Sequence, residues 1–95
     1  MNTQKPNTDL VAYGELLKRP EWFEKRDVIL KRDGSRCLHC GSDQNLQIHH
    51  RQYHKVKSID DFKKPWEYHD KYLVTLCMNC HQVGHKYFKV PVFNV

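Results

Sequence analysis

Cys37 and Cys40, and again Cys77 and Cys80, are spaced as Cys-x2-Cys; the doublet His49-His50 lies between the pairs, and His81 and His85 follow the second. Residues 37–85 therefore carry ligands for two different metal-site chemistries. Four thiolates in paired short spacing suit one tetrahedral structural zinc, whose coordination sphere is closed once filled. The four histidines are surplus to that site and free to form a second. On a helix, His81 and His85 are four apart, project from one face, and make a half-site for a divalent cation. Cys80 sits about 100° around the helix from His81, so its sulfur can face one ion while the imidazole faces another.

The doublet decides what the second site could do. Asn45-Leu46-Gln47-Ile48-His49-His50 alternates apolar and polar and reads as a strand, so neighbouring rings point to opposite sides unless the strand bends at its end. One imidazole could complete the cation site while the other stays unligated beside a bound water. That division suits phosphodiester hydrolysis. A cation stabilises charge on the phosphoryl group, and a neutral histidine takes the proton of the attacking water.

Elements must bring these groups together. Residues 1–18 read as a polar tail (1–9) and a turn or short helix (Leu10 to Leu17), and residues 19–95 as one domain. Arg19 to Gly34 reads as a helix, with Pro20 in its first turn, basic residues late, and Gly34 as the stop. Trp22, Phe23, Ile29 and Leu30 are expected on its buried face, and Lys25, Lys31 and Arg32 on its solvent side. Gly41 lets the first knuckle turn tightly. Ser58 could cap a short helix through residues 60–63, which Pro65 would stop. Tyr72 to Leu76 is rich in β-formers and reads as the returning strand, followed by a helix from about Cys80 to Tyr87. Val90 to Val95 is extended. Zinc would then clamp the start of the hairpin to the start of the last helix.

The totals agree with a small stapled domain. The chain has 95 residues, 39% of them hydrophobic, so its core is modest and a structural metal can supply folding free energy. Lys plus Arg number 16 against 11 acids, for a net charge of +5, which suggests a polyanionic partner such as nucleic acid. Cysteines confined to Cys-x2-Cys pairs favour metal ligation in a reducing compartment over disulfides, with the cytoplasm as the default location. No run of signal-peptide or membrane-span type is present.

These residues resemble the HNH endonuclease family, of ββα-metal fold, in its subgroup with a four-cysteine structural zinc. Leu46 to Tyr53 looks like its first strand and doublet, and Leu73 to His85 like its second strand, knuckle and metal helix. Pro65-Trp66-Glu67-Tyr68, the Trp22-to-Asp33 helix and Val90-Pro91-Val92 match a bacterial subgroup. The resemblance spans roughly residues 19–94. It implies an α+β domain in which His49 and His81 are ligands of the catalytic cation, His85 is a further one, and His50 is the general base. It implies zinc on Cys37, Cys40, Cys77 and Cys80, and DNA cleavage leaving 5′-phosphate and 3′-hydroxyl ends as nicks or double-strand cuts. In the register of the family's middle Asn the chain has Tyr72, preceded by Asp70 and Lys71. Asp70 is the expected substitute, a carboxylate orienting the base.

Arg51, Lys55 and Lys57 follow the doublet and are candidates to hold DNA phosphates. His39, His54 and His69 are expected on the surface, and Tyr53 and Trp66 in packing roles. Magnesium or manganese is the expected catalytic ion, and an imidazole-rich site also accepts nickel, cobalt or zinc. The expected partner is DNA, cut by a monomer or weak dimer, either with weak intrinsic specificity or with site choice supplied by a phage-packaging or restriction-type protein. Three alternatives use the same residues: a non-catalytic zinc module that binds nucleic acid, an RNase, and a zinc module for protein interaction.

Overall fold

Helix α1 (Pro20–Arg32) opens the part of the fold that positions the site, in a computed structural model that describes residues 13–95. The tail expected over residues 1–9 lies outside the described residues, and residues 13–16 are helical. Pro20, whose fixed φ and missing amide hydrogen suit a first turn, is followed there by Glu21, and Lys31 and Arg32 lie in the last turn, the three charges favourably placed in the helix dipole. The helix stops where Gly34 takes φ +71°. There the Ser35 amide donates to the Leu30 carbonyl at 2.8 Å and the Gly34 amide to Lys31 at 3.2 Å, a paired closure that glycine adopts without steric cost. Trp22 and Ile29 are buried and Leu30 packs beside them. Phe23, expected on this face, is 50% exposed, because it lies about 100° around the helix from Trp22.

Strands β1 (Leu46–His50) and β4 (Leu73–Cys77) pair antiparallel, with Leu46 opposite Cys77 and His50 opposite Leu73. The free edge of β4 is occupied by Arg32 at the end of α1, by Asp33 just after it and by the first knuckle, instead of a third strand. Asp33 Oδ2 accepts from the Thr75 amide at 2.9 Å, and Arg32 Nη2 donates to the Leu73 carbonyl at 2.6 Å. The Leu38 amide donates to the Thr75 carbonyl at 3.0 Å. Arg32 thus faces the sheet and Lys25 pairs with Asp70, where the sequence placed both in solvent. Unmet strand groups and a carboxylate recruited them, which helix periodicity alone does not foresee.

Between β1 and β4 the chain forms a second sheet in the order β3-β2-β5. Strand β2 (Tyr53–Val56) runs antiparallel to β3 (Asp61–Phe62) and parallel to β5 (Val92–Asn94). The helix expected after Ser58 is absent. Asp60 takes φ +49°, which a helix cannot hold, and the segment turns back as a strand on β2. Pro65 starts a single 3-10 turn (Pro65–Glu67) where it was expected to end a helix, and a second turn (Asp70–Tyr72) leads into β4.

The core joins α1 to both sheets through Trp22, Ile29, Ile48, Tyr68 and Leu73, with Tyr53 and Trp66 packed against it. Burying a side chain such as Ile29 or Leu73 contributes roughly 1.5–3 kcal/mol. His54 belongs to this interior, at 7% exposure, not to the surface as expected. Alternation along β2 turns its ring inward beside Tyr68 and Tyr72, with centroids at 5.2 and 5.0 Å. His39 and His69 are exposed.

Helix α2 (Met78–Tyr87) follows β4 directly and contains no buried residue. Its half-buried positions are Cys80, His81 and Gly84, whereas Val83 and Tyr87 are exposed. Polar candidate ligands therefore face the hairpin where a core helix would present an apolar stripe. The result is a small α+β domain. Among the described residues, no helix is long and apolar enough to cross a membrane.

Candidate functional site

Two ligand clusters meet on α2. In the first, the sulfurs of Cys37, Cys40, Cys77 and Cys80 all lie within 4.8 Å of one another, arranged to bind a metal ion. Both pairs use the same local turn: the Cys40 amide points at Cys37 Sγ and the Cys80 amide at Cys77 Sγ, each at 3.4 Å. Gly41, at φ +82°, closes the first turn, its amide donating to the Cys37 carbonyl at 2.8 Å. Cys77 is the N-cap of α2, its sulfur accepting from the Cys80 amide. Cys40 Sγ and Cys77 Sγ are 3.6 Å apart, close to the roughly 3.8 Å edge of a tetrahedron with 2.3 Å metal–sulfur bonds.

Charge supports the same reading. Burial by itself would raise the Cys37 thiol, but amide donors outweigh it and bring the pKa down to about 6. Its neighbour Cys80 is pushed up to about 12, first by hydrogen bonding with Cys77 and then by burial. One thiolate forms readily and the next resists. A cation at the centre is what would let all four carry negative charge together.

The second cluster is made of imidazoles. Ligand nitrogens of His49, His81 and His85 also lie within 4.8 Å of one another, a set that could hold a metal ion. Strand β1 turns His49 toward α2, with ring centroids 5.0 Å from His81 and 5.3 Å from His85. The His81 and His85 Nε2 atoms are 2.9 Å apart. On its other side His81 Nδ1 meets Gln47 Oε1 at 2.5 Å, so Nδ1 carries the proton and Nε2 keeps its lone pair toward His85. Burial, then repulsion from His81 and His85, lowers the His49 pKa to about 4. Burial followed by His85 lowers that of His81. Neutral rings with aimed lone pairs are the form a metal requires.

His50 stands on the opposite side of β1, at 5% exposure. It is stacked between Trp22 and Tyr53, with centroids at 5.3 and 5.4 Å, and meets Tyr68 edge-on at 5.0 Å. Its Nε2 lies 3.2 Å from the Pro65 carbonyl, an acceptor only, so Nε2 holds the proton and Nδ1 the lone pair. Burial lowers its pKa to about 4 despite that bond. A cleft of about 420 Å³ is lined by His50, Gln47, His81, His85 and Arg26. A second, of about 230 Å³, is lined by His49, His81, Arg51 and Lys89. His81 borders both. The doublet thus opens onto the same region from two sides of one strand.

Other sequence candidates are scattered. Asp70 is drawn to Lys25 by an ion pair and gives its carbonyl to Arg32 at 2.7 Å, so the His50 ring is held by Pro65 instead. Of the basic candidates, Arg51 borders the histidines, whereas Lys55 lies on β2, 3.6 Å from Asp60, and Lys57 is exposed beyond the end of β2. Gln47 and Arg26 were missed. Gln47 precedes His49 by two on the same strand face, a period-2 signal that was available. Arg26 came from α1, and no local pattern points to it.

Compared with known protein families, curated proteins and solved structures, the chain matches none.

Proposed function

We propose that the protein is a metal-dependent DNA endonuclease of HNH type, with β1, β4 and α2 as its ββα-metal core. One observation carries this reading: His50 shares a cleft with His81 and His85, while His49 closes a three-imidazole cluster with them. A ligand set and a separate, unligated imidazole on one cleft are the parts that metal-assisted hydrolysis needs.

His49, His81 and His85 would hold the divalent ion, and Gln47 fixes the tautomer of His81. When bound, that ion supplies Lewis acidity toward a phosphoryl oxygen. The Pro65 carbonyl orients His50, whose Nδ1 accepts the proton of the attacking water. Burial keeps His50 neutral and ready for that proton, and the charge of a bound phosphate draws its pKa back toward neutrality. Arg26 and Arg51 offer positive charge on the two clefts for the flanking phosphates. The four-sulfur cluster is read as a structural zinc site, since a closed thiolate tetrahedron suits that ion best.

Supercoiled plasmid is the substrate for the test, after divalent ions are removed and magnesium or manganese is added back. Wild type is expected to nick only with the ion, leaving 5′-phosphate and 3′-hydroxyl ends. His50→Ala is expected to cut about 10²–10⁴ times more slowly. No cutting with any ion would favour a nucleic-acid-binding module. Faster cutting of RNA in a parallel assay would change the substrate.

A further inference from the structure

Beside the histidines runs a groove of about 980 Å³, wider than the two clefts already described. It starts at His85 and passes Lys86, Tyr87, Phe88 and Lys89, with Tyr53 and Phe62 on the facing sheet. Tyr87 is 68% exposed and Phe88 75% exposed, at the end of α2 where the helix gives way to extended chain. Two adjacent rings this open line one groove, and a contiguous apolar patch of that kind marks a contact surface. The Lys86 ammonium lies 5.6 Å from the centroid of the Tyr87 ring, so charge and aromatic face are presented together. No Asp or Glu lines the groove among the described residues.

We propose that this groove is a seat for single-stranded DNA, feeding an unpaired strand past His85. The inference rests on the function proposed above for its substrate and for the place where cutting occurs. Its chemistry is specific. Lysines that track a backbone, alternating with exposed ring faces, bind unpaired bases by stacking without regard to sequence. In a duplex those base faces are stacked on each other and out of reach, so Tyr87 and Phe88 have nothing to stack on. Lys86 and Lys89 then take the phosphates between stacked bases. Lys89 borders both this groove and the cleft of His49 and Arg51, so a strand can run continuously across the histidine cluster. The protein's net charge of +5 matches a polyanion better than a neutral or basic partner.

Fluorescence anisotropy separates the possibilities, with a labelled oligothymidine and a duplex of equal length, at fixed salt and without added divalent ion. The wild type is expected to bind the single strand more tightly. Tyr87→Ala combined with Phe88→Ala is expected to weaken single-strand binding by at least about tenfold while changing duplex binding less than about twofold. Phe88→Trp should restore or improve it, since a larger ring stacks as well. Thermal melts of each variant establish that the exposed substitutions leave the fold intact. Equal loss on both DNAs, no loss on either, or wild-type preference for the duplex overturns the inference, the first pointing to charge alone and the second to a different occupant such as a protein segment. Plasmid cutting is scored separately. Selective loss of single-strand binding in a protein that never cuts would retain the groove and remove the nuclease reading. Cutting by a protein whose aromatic variants bind normally would do the reverse.

Discussion

The sulfur cluster and the imidazole cluster share one helix and behave as opposites. Cys37 and Cys77 are 2% and 6% exposed and Cys80 is half-buried, so three of the four sulfurs are sheltered by the knuckle, β4 and the start of α2, and Cys40 lies on the surface. His85 is exposed and His81 borders two clefts, so the imidazole group stays open. Closure makes the first a part of folding, because its ion would tie α2 to the knuckle in place of an apolar core. Openness leaves the second accessible from solvent, at the cost of a contribution to packing. With no buried residue in α2, a metal ion on its ligands would add the hold that hydrophobic contact does not supply.

Breaking the closed cluster should have the largest effect. Cys77→Ser is expected to abolish cooperative thermal unfolding and the metal content measured by elemental analysis. A melting temperature within a few degrees of wild type would show that α2 docks without the ion. His81→Ala sharpens the contrast from the other side. It should leave the melting curve nearly unchanged but reduce both divalent-ion affinity and DNA cutting by about a hundredfold or more, read by calorimetry and plasmid nicking.

Intermediate effects belong to the groups that hold the frame. Burial alone would raise the Asp33 carboxyl, but bonds from Arg32 and the Thr75 amide outweigh it and hold the pKa below its ordinary 3.8. A folded-state pKa below the unfolded one stabilises at neutral pH, and that stability is lost as pH falls through about 4 toward the folded value. Asp33→Ala should therefore cost about 2 kcal/mol at pH 7, a gap that narrows below pH ~4 in chemical denaturation. Gln47→Ala should leave stability unchanged and weaken ion binding about tenfold, since it frees the ring of His81 to turn. Smallest of all, Asp70→Asn removes a half-exposed pair with Lys25 and should cost at most about 1 kcal/mol. Cutting at the wild-type rate is expected there. A hundredfold loss would return Asp70 to the reaction.

Much of the frame was legible from local pattern. Helix α1, both strands of the hairpin, α2 and the glycine stops at Gly34 and Gly41 follow from capping, alternation and φ preference acting within a few residues. Phe23 apart, which helix periodicity itself turns away from Trp22, the errors share one physical cause: distant partners outbid local preference. Phe23 lost the buried face to the Trp22–Ile29 line, and the segment after Ser58 became a strand because β2 offered an edge. His54 was taken inward by Tyr68 and Tyr72, and Arg32 was taken from solvent by the open backbone of β4.

The amino-acid order by itself determined the ligand types, their paired spacings, and a modest basic α+β domain that calls for a metal staple. Spacing alone left open which histidine of the doublet meets α2, although the family resemblance implied His49, and tertiary structure decided that His50 stacks between Trp22 and Tyr53. It also decided that Pro65 rather than Asp70 holds His50, and that Gln47 backs His81. Spacing fixes how far apart neighbouring side chains can be along one element, but the sum of many weak long-range contacts selects which groups from different elements finally meet.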